Sequence, residues 1–362
     1  MEQYYHTISL FQQLDLLKLL GGGYTINMSE VYDFVAIGDI TTDAFIELSK
    51  KDARVVCDIE GKPCQLQMNF GDKLPYENVK VVPAVGNSPN AAVSAHRLGL
   101  RAGLVTNLGH DRNGKDCLDA LRRENVSTEF VRVHERKISN YHYVLRLGAE
   151  RTILIKHETY PYTLPDFKVP PRYLYFSSIG ENGVAFHHEI AEYVKKHPET
   201  KLVFQPGTFQ IRLGKDELRD LYAVTDIFFC NKEEAQTILG TKEDHFPKLL
   251  KDLKALGPRL PVITDGPKGA YVEDENGVTW HMPMYPDPKE PVDRTGAGDS
   301  FASTFTAAII LGKTPAEALS WGPINSMSVV QYVGAQEGLL TREQLEKHLK
   351  EAPASYKPTK VV

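Results

Sequence analysis

Asp293-Arg294-Thr295-Gly296-Ala297-Gly298-Asp299 leads without a break into residues 300–311, a run of Phe, Ala, Ile and small hydroxyl side chains. A helix over 299–311 that is apolar nearly all round belongs inside a fold. The small residues ahead of it predict a loop whose backbone N–H groups are unpaired at the positive end of that helix, which makes an anion site. Gly296, Ala297 and Gly298 let a phosphate approach the backbone closely, where larger side chains would block it. Asp299 is the odd member, because a carboxylate beside an anion hole repels phosphate unless it has other work. Taking a proton from an attacking hydroxyl is such work. Capping the helix is the plainer alternative.

Outward from this stretch the chain alternates β-rich runs with helical patterns, the rhythm of an α/β fold with a doubly wound, mostly parallel sheet. Strands are expected over 32–37, 102–106, 172–177, 201–204, 226–229 and 262–264. Helices are expected over 90–98, 115–124 and 185–196, with Gly99 closing the first. Polar and glycine motifs follow several strands: Gly38-Asp39-Ile40-Thr41-Thr42-Asp43, Gly86-Asn87-Ser88-Pro89-Asn90, Asn231-Lys232-Glu233-Glu234 and Thr264-Asp265-Gly266-Pro267-Lys268-Gly269. Such motifs at the carboxyl ends of strands mark the ligand crevice of an open α/β sheet. Two segments break the rhythm. Residues 44–84 are extended and lack an amphipathic helix, and residues 139–156 read as a hairpin turning at Gly148-Ala149-Glu150. Together they can form a small separate sheet.

The 362 residues are 42% apolar and 25% charged, the mix of an ordinary globular protein. With Lys+Arg 42 against Asp+Glu 47, the net charge is −5, which argues against a coat for nucleic-acid phosphate. No apolar run approaches the length that spans a bilayer. Four cysteines are too few for a disulfide scaffold and predict a reducing, cytoplasmic setting, with Cys57 and Cys64 as free thiols. Residues 1–30 place Leu10, Leu14, Leu17 and Leu20 at helical spacing, but Gln12, Gln13, Asp15 and Lys18 interrupt any signal-peptide core. They read as an extension that the core does not need, with Met28 as a natural start.

Two motifs in order carry a resemblance to the PfkB/ribokinase-like family of carbohydrate kinases. The first runs from Gly86 and Asn90 through Gly99 to Gly109, with Val85 where a glycine is usual. The second is Asp293, Thr295, Gly296, Ala297, Gly298 and Asp299, with Arg294 where a small or hydroxyl residue is usual. The resemblance implies a ribokinase-like core of residues 31–43, 85–138 and 157–350, a β lid of 44–84 and 139–156, and a tail of 351–362. It implies that Asp43, Gly86 and Asn90 meet sugar hydroxyls, that Asp299 is the base, and that Gly296, Ala297 and Gly298 receive the transferred phosphoryl. Thr264, Gly266, Gly269 and Asn325 would lie along the ATP. Asn231 and Glu234 would tune Mg²⁺ through water, and Asp293 is the place where a K⁺ ion is a candidate. The implied partners are a small-molecule sugar and ATP, with the lid as a homodimer surface. A nucleoside kinase of the same fold remains the alternative, since Gln205-Pro206-Gly207-Thr208 departs from a commoner Asp-Pro pattern. A catalytically weak sugar sensor is the second.

Other signals carry less. Gly109 to Asp116 approaches a phosphate-binding P-loop but ends in Asp instead of the hydroxyl that holds Mg²⁺. His187-His188-Glu189 lacks zinc-protease spacing. The Tyr141, Tyr143, Leu145 alternation suits either sugar stacking or a buried strand face. Lys268 suits a phosphate or a solvated turn, and Arg151 and Lys156 are candidates for a substrate phosphate or carboxylate.

Overall fold

Runs such as Phe34–Ile37, Tyr173–Phe176 and Lys201–Phe204 carry apolar side chains at successive positions, which suits strands covered by helices on both faces. In the computed structural model, which describes residues 31–57, 64–148 and 150–361, these runs lie inside a ten-stranded sheet. Residues 1–30, the expected extension, fall outside the described residues.

In chain order the first strands are β1 (Phe34–Ile37), β2 (Thr41–Leu48), β3 (Ala53–Cys57), β4 (Cys64–Met68) and β5 (Tyr76–Val85). Then come β6 (Ala102–Gly109), β7 (Val131–His134), β8 (Asn140–Leu147), β9 (Glu150–Leu154), β10 (Tyr173–Phe176) and β11 (Lys201–Phe204). The last are β12 (Thr225–Asn231), β13 (Leu260–Thr264), β14 (Ala270–Glu273), β15 (Thr279–Met282) and β16 (Thr359–Lys360). The helices are α1 (Asn87–Arg97), α2 (Arg112–Arg123), α3 (Val184–Lys196), α4 (Thr208–Leu213) and α5 (Arg219–Ala223). They continue with α6 (Lys232–Leu239), α7 (Phe246–Lys254), α8 (Ala297–Ile310), α9 (Pro315–Val329) and α10 (Arg342–Lys350).

The large sheet has the order β16-β15-β14-β13-β12-β11-β10-β1-β6-β7, parallel from β7 to β13 and antiparallel beyond. Side chains of β1 alternate between two cores. Phe34 and Ala36 face the layer of α1, α2, α8, α9 and α10, while Val35 and Ile37 face that of α3, α5, α6 and α7. Each fully buried aromatic or aliphatic side chain here, such as Phe305 or Ile190, contributes about 1.5–3 kcal/mol. The chain leaves β1 toward β6 on one side and later toward β10 on the other. That reversal of strand order opens a crevice at the carboxyl end of β1.

The second sheet is β5-β2-β8-β9, in which β2 and β8 run parallel although a hundred residues of chain part Thr41 from its partner's neighbour Tyr141. The two extended segments therefore do pair into a separate small sheet. Its register sets two faces. Asp43 is opposite His142, so Asp43, His142 and Val144 share the inner face with Arg151 and Ile153. Ala44, Val81, Tyr143 and Leu154 make one row across the outer face. Tyr143 is exposed there, so the Tyr141, Tyr143, Leu145 face is turned away from the crevice and is not a buried strand face, against both of the alternatives expected for it.

Two expectations are corrected. Helix α1 begins at Asn87, not at 90, because Gly86 at φ 122 turns β5 directly into it and Pro89 fits the first turn, where no N–H is needed. Cys57 and Cys64 are bonded to each other and not free, since the antiparallel β3–β4 pair sets them opposite one another with Cα atoms 4.0 Å apart. That bond removes the cysteine count as an argument for a reducing compartment. Cys117 and Cys230 are free and buried. No helix among the described residues is long and apolar enough to cross a membrane.

Candidate active site

A cavity of about 430 Å³ lies where the carboxyl ends of β1, β11, β12 and β13 meet the inner face of the small sheet and the start of α8. Gly296 begins α8 in the left-handed region at φ 82, and a Cβ on it would come within 2.7 Å of Ala335 Cα. Only glycine permits that entry. The first helical bond of this turn runs from the Ser300 N–H to the Gly296 carbonyl at 2.9 Å. The N–H groups of Gly298 and Asp299 precede it and have no partner within the helix. Gly296, Gly298 and Asp299 all line the cavity. Ala297 does not. Its N–H turns back toward the Arg294 carbonyl at 3.5 Å, which corrects its expected place in the anion hole.

Asp299 is 9% exposed and lies at the wall of the cavity, not in the apolar interior. Three amides hold its carboxylate. Asn87 Nδ2 and Gln205 Nε2 donate to Oδ1 at 2.8 and 3.2 Å, and Asn90 Nδ2 donates to Oδ2 at 2.9 Å. These donors are themselves oriented: Gln336 Nε2 donates to Asn90 Oδ1 at 3.0 Å, and the buried Tyr175 hydroxyl donates to Gln205 Oε1. Burial pushes the Asp299 carboxyl above the usual aspartate range, and Asn90, Asn87, Gln205 and the charge of Arg151 pull against it. Asn90 thus lines the cavity with both ends of its amide engaged. Asn87 and Gln205 are residues that sequence reasoning missed as partners of the carboxylate, since each is one polar residue at the end of a distant element.

At the other end of the cavity two His–Asp pairs face each other. His157 Nδ1 lies 3.2 Å from Asp39 Oδ2, and the Tyr162 hydroxyl donates to Asp39 Oδ1 at 2.9 Å. His142 Nδ1 lies 3.3 Å from Asp43 Oδ1, an ion-pair distance without hydrogen-bond geometry, and the two imidazoles are 5.1 Å apart. His142 Nε2 is buried with no partner among the described residues. The strand parity of 140–147 could have singled out His142, because it shares the face of Asp43. Gly86 lies beside this end, and a Cβ on it would come 2.7 Å from the Asp39 carbonyl oxygen.

Asn231 and Glu234 also line the cavity. They form a reciprocal cap on α6: Asn231 Oδ1 accepts from the Glu234 N–H and Glu234 Oε2 accepts from the Asn231 N–H, both at 2.8 Å. Burial raises the Glu234 carboxyl, the Asn231 N–H lowers it, and the charges of Glu233 and Asp299 raise it further. Thr264 is at the wall, but Gly266 and Gly269 are not. Gly269, at φ 99 with Met282 packed against it, is required by the turn between β13 and β14.

One further expectation changes. Asn325 is fully buried between α8 and α9, where its amide donates to Thr304 Oγ1 at 2.8 Å and accepts from the Leu340 N–H at 3.0 Å. It is a core tie and does not line the cavity. Asp293 is likewise fully buried; Oδ1 accepts from the Thr295 N–H and hydroxyl, and Oδ2 from the Gly334 N–H. It clamps the loop ahead of α8. The near P-loop is structural too, since Asp111 caps α2 by accepting from the Gly114 N–H at 2.8 Å. Lys268 is mostly exposed and sits 3.5 Å from Asp265, as a solvated turn lysine does.

The architecture is the ribokinase fold. A ribokinase of Arabidopsis thaliana, solved with ribose and ATP, superposes with a TM-score of 0.72 at 20% identity, covering 88% of this chain and 99% of that one. The sequence pattern of the pfkB family carbohydrate kinases matches residues 70–342, and the chain belongs to that family. A ribokinase of Bacillus subtilis is 29% identical over 290 residues, 77% of this chain and 92% of the relative. A 5-dehydro-2-deoxygluconokinase of the same organism is 25% identical over 353 residues, 90% and 98% of the two chains. The protein is therefore an enzyme, a carbohydrate kinase.

Proposed function

We propose that this kinase transfers the γ-phosphoryl group of ATP to a hydroxyl of a sugar or sugar-like molecule, with Asp299 as general base. The observation that carries the reading is the Asp299 carboxylate, fixed by three amides beside the open N–H groups at the tip of α8. The acceptor hydroxyl gives its proton to Asp299. Its oxygen then forms the new bond to phosphorus, while the bond to the β–γ bridging oxygen breaks and leaves its electron pair on ADP. The Gly298 and Asp299 N–H groups meet the charge on the phosphoryl oxygens, a role worth about 10²–10³-fold per donor in comparable sites. Asp43 and Asp39, steadied by His142 and His157, read the hydroxyls of the acceptor from under the lid. Thr264 and the edge of β13 face the nucleotide.

Mg²⁺ supplies charge neutralisation on the triphosphate. Asn231 and Glu234, both at the cavity wall, are the residues that would hold the ion, through water. A cytoplasmic setting suits an enzyme that consumes ATP. The exposed Val81, Tyr143 and Leu154 of the outer face make the surface through which the lid would pair two copies. Light scattering that finds only monomer at assay concentration refutes that part.

ADP release measured across sugars, sugar acids and nucleosides tests the central claim. Turnover with at least one sugar or sugar acid is expected. Turnover with adenosine or inosine and with no sugar would replace it by the nucleoside kinase, and binding of sugar and ATP without ADP above the Asp299→Asn control would replace it by a sensor.

A further inference from the structure

The cavity is lined by four carboxylates, Asp39, Asp43, Glu234 and Asp299. A phosphoryl group delivered beside Asp299 meets negative charge, and the side chains must supply something to offset it. Among the described lining residues the permanent cations are Arg151 and Arg294. Arg294 is half exposed and lies 4.0 Å from Glu150, at the lid turn. Arg151 is different. It stands on β9 opposite Arg146, on the inner face of the lid. Arg146 donates to the Val292 carbonyl at 2.8 Å, which ties this part of the lid down onto the loop that leads into α8. Arg151 shares the cavity wall with Gly296, Gly298 and Asp299. Its Nε is buried and donates to nothing among the described residues, an expensive condition for a guanidinium that no ligand meets.

We infer that Arg151 is a further catalytic residue: its guanidinium reaches down from the lid to the oxygens of the phosphoryl group in flight, opposite the backbone N–H groups of α8. The inference rests on the kinase reading above. The guanidinium fork matches phosphate oxygens in two places at once. Burial raises the Asp299 carboxyl, and after the three amides the charge of Arg151 also pulls against that rise. Because Arg151 is on the lid and the anion hole is on the core, the phosphoryl group is fully surrounded only when the two are together. Transfer to stray water is disfavoured for the same reason.

The test compares the wild type with Arg151→Met and Arg151→Lys, using the best acceptor from the panel. The methionine variant should lose kcat by about 10²-fold or more, as for removal of a transition-state donor, with the KM of the acceptor within about threefold. Added guanidinium should restore part of the rate, and the lysine variant should fall between. Binding of ADP with aluminium fluoride, a mimic of the phosphoryl in flight, should weaken in Arg151→Met while binding of ADP alone does not. A raised acceptor KM at unchanged kcat would mean that the guanidinium reads a charged group of the acceptor, and would overturn the inference. So would unchanged kinetics, or equal loss of ADP and ADP–aluminium fluoride binding. A wild type that releases no ADP with any acceptor sinks the kinase reading itself and the inference with it. If the methionine variant does not fold, the lysine variant with the aluminium fluoride measurement decides alone.

Discussion

Asp299→Asn should lower kcat by about 10²–10⁴-fold, the usual worth of general-base catalysis, with ATP and acceptor binding little changed. The substitution keeps the shape at the tip of α8 and removes the atom that takes the proton. The pH dependence of the wild type should report the same group. Only the ionised carboxylate can accept the acceptor's proton, so the rate falls as pH drops through the Asp299 pKa. Burial holds that pKa above the usual aspartate range, against the pull of the amides and Arg151, so the acid limb should begin at higher pH than for an exposed aspartate. A profile of kcat/KM against pH checks this. An acid limb that persists unaltered in the residual activity of Asp299→Asn would assign the titration to another group.

Gly298→Val should abolish most of the activity, by at least about 10²-fold, without unfolding the protein. A Cβ at Gly298 meets no atom within 4 Å, and Gly298 lines the cavity. The fold loses nothing there, and a side chain in place of glycine favours a helix by up to about 1 kcal/mol. The new side chain instead stands where the phosphoryl oxygens approach the backbone. Gly296→Ala should behave in the opposite way. It forces a left-handed residue and an overlap with Ala335, and should lower the melting temperature, at a cost of about 1–3 kcal/mol. Melting curves beside ADP release separate the two. A Gly298→Val enzyme with wild-type kcat would show that the phosphoryl group does not pass the tip of α8.

What the sequence made legible has a common physical basis. The strands β1, β10 and β11 and the start of α8 are local patterns, apolar runs and small residues before a buried helix, and they are where the spacing put them. The small sheet was legible because two extended segments without helical periodicity need partners. The partners of Asp299 were not legible. Asn87 and Gln205 reach it from α1 and from the end of β11, elements whose juxtaposition depends on the whole sheet order. Asn325 and Asp293 are expected as ligand contacts only because the family resemblance implies it. Their amide and carboxylate satisfy buried backbone groups at Leu340 and Gly334, a need that only the packed chain reveals. Whether Tyr141, Tyr143 and Leu145 face the crevice turned on strand parity, which a one-residue shift reverses.

The strand β2 leaves the end of β1 after only the short turn through Gly38 and Ile40, and it carries Asp43 on its way into the small sheet. On the reading proposed above, the part that covers the cavity and the part that feels the acceptor are thus one piece of backbone. Any tilt of the cover would then carry the carboxylate with it, and fit of the guest and sealing of the chamber would be mechanically the same event.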